Sequence, residues 1–389
     1  MVQRGPTAFD PADIQEVVLD GTELGVAEVI AVARLRRPVS IAPKARHRVD
    51  CCRRMIDLLL ERREKIYGLT TGFGKLRDVT IQGKDVQKLQ INLIRSHACG
   101  VGPALSDEQT RAIICCAIIN YSHGKSGLHP DVVHSVQALL NHGITPQVPS
   151  QGSVGYLPHM AHISIALLGV GNVSYRGRVV PAHQALAEEG LQAVVLGAKD
   201  GLCLVNGTPC MTGLSCLALA DAHHLLQWAD VIGAMSFEAQ RGQIDAFDEE
   251  IIALKPHPGM QHVGINLRAL LDGSEVIASS KGIRTQDALS IRSIPQVHGA
   301  ARDQLEHATR QIETELNGTT DNPLLRGTPD NYRGVSQANP DGQSVALAAE
   351  MLAIALEEIG SIAERRLDRL INPHVSGLPA FLVSNPGVV

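Results

Sequence analysis

From Val345 to Ile371, Leu352, Leu356, Ile359, Ala363, Leu367 and Leu370 recur at steps of three and four. Glu357, Glu358, Glu364, Arg365, Arg366, Asp368 and Arg369 fill the positions between them. That alternation has the 3.6-residue period of a helix with one apolar face. Asn372-Pro373 stops it, because the residue before a proline is pushed out of helical geometry. Two more long helices are expected, over about Thr208 to Glu238 and about Val297 to Glu315. Strand signals are short, as at Val148 and Val179-Val180. Long helices with apolar stripes and few alternating runs predict an all-α bundle, with apolar surface left over for burial against other copies of the chain.

The first two-fifths reads differently. Glycine and proline are dense at 68–74, 143–155 and 169–177, so turns are expected to separate shorter helices there. GVGNVSYRG (Gly169 to Gly177) is expected to be a loop after an apolar helix, since it lacks the spacing and the acid of a dinucleotide site. A boundary near residue 200 is expected, with a loop-rich domain over 1–200 and a helical-bundle core over 201–389.

Composition narrows the classes. A chain of 389 residues, 44% hydrophobic and 19% charged, suits a globular protein with a large core. A net charge of −5 gives no reason to expect nucleic acid or an anionic membrane as partner. No unbroken apolar run of 18 residues is present, and the start, MVQRGPTAFDPADIQ, lacks the apolar centre of a signal peptide. Eight cysteines, including the pairs Cys51-Cys52 and Cys115-Cys116, show no framework spacing; buried, reduced thiols and a cytoplasmic location are expected.

Several blocks carry a more specific signal. They are YGLTTGFGKL from Tyr67, LQINLIRSHACGVG from Leu89, GSVGYLPHMAH from Gly152, LVNGTPCMTG from Leu204, QDALSIRSIPQVHGA from Gln286, TTDNPL from Thr319 and INPHVSGLPAFL from Ile371. In this order the chain resembles the aromatic amino-acid ammonia-lyases and aminomutases, with its histidine ammonia-lyase-like branch the nearest in pattern. The resemblance implies an all-α fold, a loop-rich N-terminal domain built around methylidene-imidazolone (MIO), and a homotetramer with shared active sites. It also implies elimination of ammonia from a small-molecule amino acid to give an α,β-unsaturated acid, or the corresponding aminomutase reaction.

The resemblance further implies roles for particular residues. Tyr67 occupies the position of the base that takes the β-proton, a task that needs a group within hydrogen-bond reach of the substrate. Arg292 would grip the carboxylate with its two-pronged guanidinium. Asn206 and Gln286 resemble the family's amide contacts to substrate and cofactor. Their competing reading is structural: the amides cap helices and Arg292 pairs with an acid such as Asp287. The pair Ser96-His97 stands where the family faces the substrate side chain, and Ser-His leans toward an imidazole; a satisfied core histidine is the alternative for His97. His159 and His162 have helical spacing for two metal ligands, but no third ligand lies nearby in sequence, and no metal is expected.

Four departures bear on the chemistry. The MIO-forming tripeptide, expected between Gly155 and Tyr156, is absent. Leu289 stands where many members carry tyrosine, and QANPDGQ (Gln337 to Gln343) lacks the usual aromatic and histidine. The chain ends at SNPGVV, where members continue into further helices. The expectation is therefore a lyase or aminomutase for an aromatic or imidazole amino acid, histidine first. The alternative is a member without the electrophile, either expelling a different leaving group or serving as a non-catalytic helical partner.

Overall fold

The computed structural model describes residues 9–81, 85–155, 157–385 and 387. Helices dominate, and the sheets are two- or three-stranded. The chain forms two compact units, one of Met1–Ala218 with Gln311–Val345, the other of Leu219–Arg310 with Ala346–Val389. The division is interleaved in sequence, unlike the single boundary expected near residue 200.

The first unit is organised around the helix Asp107–Ser122, whose residues from Thr110 onward are all buried. It starts where it does because Ser106 and Gln109 form a reciprocal cap: the Gln109 N–H donates to Ser106 Oγ and the Ser106 N–H to Gln109 Oε1. Arg111, 1% exposed, donates to the carbonyls of Val32 and Leu140, joining three helices through one side chain. A Cβ at Gly213 would lie 2.8 Å from the Ala112 carbonyl, so glycine is what lets the two backbones meet. GVGNVSYRG is not a plain loop. Asn172–Tyr175 and Arg178–Pro181 pair antiparallel across Arg176-Gly177, both with positive φ. That two-residue turn supplies the twist a hairpin needs.

The second unit buries Phe237, Phe247, Met260, Val263, Leu267, Ile291 and Ile294 in one cluster, with the two phenylalanine rings 4.5 Å apart. The expected long helices are present as Pro209–Ala239, Ile294–Leu316 and Gln343–Ile371. One residue of the expected stripe departs from it: Leu367 is 57% exposed, while neighbouring Arg366 is 2% exposed. Arg366 turns inward because it donates to His298 Nε2, and His298 Nδ1–H in turn donates to Asp230, 2.9 Å away. Arg302 and Asn266 complete the partners of that carboxylate.

One stretch, 200–239, is long and apolar enough to cross a membrane by composition, with a mean hydropathy of 1.5. Of that window 78% is buried inside the protein, the pattern of a core helix.

Candidate active site

The Tyr67 loop is built by glycine. At Gly68, φ is +68°, and a Cβ there would lie 2.4 Å from Leu202 and 2.8 Å from the Phe73 ring. Buried Thr71 accepts the Gly68 N–H on Oγ1. The turn so formed leaves Tyr67 half-buried, its ring edge-on to Phe73 at 6.2 Å. The Gly74 N–H donates to the phenol oxygen at 3.2 Å, which leaves the hydroxyl proton uncommitted.

The helix Val86–His97 packs against the short helix Asp200–Val205 so closely that a Cβ at Gly201 would sit 2.5 Å from the Gln90 carbonyl oxygen. At its end, half-buried His97 uses Nδ1 on the Leu93 carbonyl, 2.9 Å away, with Ser96 Oγ at 3.0 Å. A histidine whose Nδ1 carries the donated proton presents Nε2 as an acceptor.

Asn206, which follows Asp200–Val205, is 3% exposed. Its Nδ2 donates to Asp321 Oδ1 and to the Asn322 carbonyl, both at 2.8 Å. Gly207, with φ +94°, lets the next turn lie on Thr320, and the Thr208 N–H donates to Thr320 Oγ1. Beneath them Lys199 Nζ stands 2.6 Å from Asp321 Oδ2 and 2.7 Å from the Ser126 carbonyl, with both charged side chains wholly buried. Burial opposes the Lys199 charge, but Asp321 and Cys203 outweigh it and hold its pKa above that of an ordinary lysine. Lys199 lies outside the sequence blocks, five residues before the one that begins at Leu204.

In the second unit, Gln286 is exposed. Asp287 is 5% exposed and is engaged by Arg284 Nε at 2.9 Å and by the Gln243 N–H, so it is not the partner of Arg292. Half-buried Arg292 forms no ion pair among the described residues, and its Nε is buried without a hydrogen-bond partner. On the following turn, Gln296 Oε1 is in the same condition.

The segment after Gly152 takes an unusual path. Gly152 and Gly155 have φ of +97° and +86°, Ser153 Oγ accepts the Gly155 N–H, and Leu157 has φ +65° and ψ −74° just before the helix Pro158–Leu167. Tyr156 lies outside the described residues. A leucine at positive φ is strained. A Cβ on Gly155 would lie 3.3 Å from Met211, which also fills the space against Gly342. Methylidene-imidazolone is made by cyclising three consecutive residues that include Ser-Gly, and between Gly155 and Pro158 the chain offers Tyr156 and Leu157. The residues present do not fit that group.

The two histidines of this helix are committed to protein contacts. His159 Nδ1 lies 2.8 Å from Cys210 Sγ, and His162 Nε2 accepts the Gly100 N–H at 3.0 Å. Burial lowers both pKa values, so they are neutral at pH 7. Among the described residues no group of three or more His, Cys, Asp or Glu could hold a metal ion. All eight cysteines are free; Cys99 is exposed and Cys51 half-buried, unlike the other six.

Residues 24–389 match the family of aromatic amino acid lyases. A histidine ammonia-lyase of Symbiobacterium thermophilum is 44% identical over 376 residues, a match covering 96% of this chain and 74% of that protein. The crystal structure of a tyrosine aminomutase from Streptomyces globisporus superposes with a TM-score of 0.90 at 36% identity, covering 96% of this chain and 74% of that one. An ergothioneine-degrading ergothionase from Treponema denticola superposes with a TM-score of 0.91 at 28% identity, covering 95% and 74%.

Proposed function

The chain belongs to the aromatic amino acid lyase family and is a carbon–nitrogen lyase of the ammonia-lyase and aminomutase type; on that premise we propose that it acts on an imidazole-bearing amino acid, histidine first. The observation that carries the reading of an amino-acid substrate is Arg292, a half-buried guanidinium with no ion-pair partner and a buried Nε without a hydrogen-bond partner among the described residues. Such a group suits a substrate carboxylate, which takes two parallel hydrogen bonds from the fork. Tyr67 is the base: as the phenolate, its hydroxyl proton already given up to solvent, its oxygen takes the β-proton, the C–H electron pair becomes the Cα=Cβ bond, and the C–N pair leaves with nitrogen. His97 Nε2 accepts an N–H from the substrate ring. Asn206, already anchored through Nδ2, and exposed Gln286 supply the amide contacts.

Methylidene-imidazolone supplies amine activation in enzymes that form it, and the residues of this chain do not fit it. That supports a second reading, in which the nitrogen leaves as a neutral tertiary amine from a quaternary ammonium and needs no capture. The likeness to an ergothioneine-degrading enzyme points the same way. The assembly we propose is a homotetramer with Tyr67, Asn206 and Arg292 meeting across chains. Leu225, Trp228, Ile232 and Met235 form an exposed apolar stripe on one helix, and Leu347, Met351 and Ile354 one on another, which supports burial against further copies. Eight free cysteines support a reducing, cytoplasmic setting.

The test is absorbance of the conjugated acid on incubation with histidine, tyrosine, phenylalanine and Nα-trimethylhistidine. Product from histidine alone supports the first reading, and product from the trimethylated compound alone supports the second. A folded tetramer that yields none from any of them is a non-catalytic partner. Tyr67→Phe should lower turnover by about 10²- to 10⁴-fold with the fold intact.

A further inference from the structure

We propose that the cleft beside the hairpin Leu324–Thr328 and Asn331–Val335 binds a small phosphate ester. Antiparallel register sets Arg326 directly opposite Arg333. The Leu325 N–H donates to the Lys125 carbonyl at 2.9 Å, which brings a third cation beside them. All three are exposed and line one cavity of about 340 Å³, with Leu324, Leu325 and Val335 as its apolar wall.

Like charges directly opposite on neighbouring strands destabilise a sheet, and Arg326 and Arg333 have no acidic partner among the described residues to relieve them. Nothing in the elimination chemistry uses these residues. An anion between the two guanidinium forks removes the repulsion. A phosphate dianion suits three cations better than a single carboxylate, since its oxygens accept from two planar forks at once while a lysine ammonium approaches as a point charge. The apolar wall then covers the organic body of the ester, so phenyl phosphate is a better probe than the inorganic ion.

Isothermal titration of the full chain with phenyl phosphate, inorganic phosphate and benzoate at low salt decides the matter. Expected is the order phenyl phosphate, then phosphate, then benzoate, with affinity falling as salt rises. Each of Arg326→Ala and Arg333→Ala should weaken phenyl phosphate by about ten- to a hundredfold, the loss of a charge-assisted contact, and neither should lower the melting temperature of the unliganded protein. No binding of phenyl phosphate, benzoate binding as tightly, or unchanged affinity in both variants overturns the proposal.

Discussion

Replacing Asp321 by alanine leaves Lys199 wholly buried with no counter-ion and deprives Asn206 Nδ2 of one of its acceptors. Removing one partner of a buried ion pair costs about 3–5 kcal/mol, because the remaining charge has lost both water and its compensation. For a unit of this size that is a fall in melting temperature of about 6–20 °C. In the native protein the folded Lys199 pKa lies above the unfolded one. Its stabilisation is therefore fully present below about pH 10.4 and is lost only as pH climbs through the higher folded value, so no Lys199 titration appears between pH 6 and 9. In D321A burial is opposed only by Cys203 and the Ser126 carbonyl, so the folded pKa falls. The variant should then be worst at neutral pH and recover as pH rises toward the unfolded lysine value. Urea denaturation of wild type, D321A, K199M and the double variant at pH 7 and pH 9.5 measures this. The double variant should be more stable than D321A by about 2 kcal/mol. A D321A cost below about 1 kcal/mol, or no rescue by K199M, refutes the reasoning.

Further expectations rest on separate observations. Arg292→Lys keeps the charge and loses the fork, so calorimetric affinity for a substrate carboxylate should fall about ten- to a hundredfold; unchanged affinity would make Arg292 structural. Gly201→Ala forces a methyl to within 2.5 Å of the Gln90 backbone oxygen, and the shift needed should cost about 1–3 kcal/mol in a urea melt. His298 is held neutral by burial despite the Asp230 hydrogen bond, so its folded pKa is lowered. Stability should accordingly decline as pH falls below about 6.5, and His298→Gln should flatten that limb in thermal melts from pH 8 to pH 5. Burial pushes Cys52, Cys115 and Cys210 up to about 12, so maleimide at pH 7 should label Cys99 first in the folded protein.

The long helices were legible because their periodicity runs over many turns. Thr208 to Glu238 is realised as Pro209–Ala239, and the stop at Asn372-Pro373 holds. Local rules have less grip where a partner lies far away in sequence. Arg366 belongs to the polar half of its helix by pattern, yet it is buried because His298 and Asp230 await it. Lys199 and Asp321 are 122 residues apart, and neither residue alone signals the pair that fixes the Asn206 turn. The hairpins at 172–181 and 324–335 have strands of four and five residues, too short for alternation to register against glycine and charge. For the candidate site, the motif blocks singled out Tyr67, Asn206 and Arg292, but not that Asp287 serves Arg284 and leaves Arg292 unpaired.

Arg292, without an ion-pair partner among the described residues, bears on what the site binds. A buried N–H donor without an acceptor costs about 1–3 kcal/mol, a cost that one acid or one carbonyl would remove. A carboxylate ligand removes it too, and does so only in the bound state. Leu157 and the glycines at 152 and 155 all have positive φ, in the segment where the family's electrophile would form. Met211 lies beside Gly155 there. On the proposed function, substrate binding proceeds without amine activation from this segment. On that reading, proton removal by the Tyr67 phenolate still yields a stable product if the nitrogen can depart unaided. A quaternary nitrogen departs as a neutral amine, whereas a primary amine must be protonated or captured first. The ratio of rates on trimethylated and unmodified histidine therefore separates a site that lost its reaction from one that kept the elimination and changed the leaving group. A ratio well above one establishes the second, and a ratio below one requires amine activation from a source other than residues 152–157.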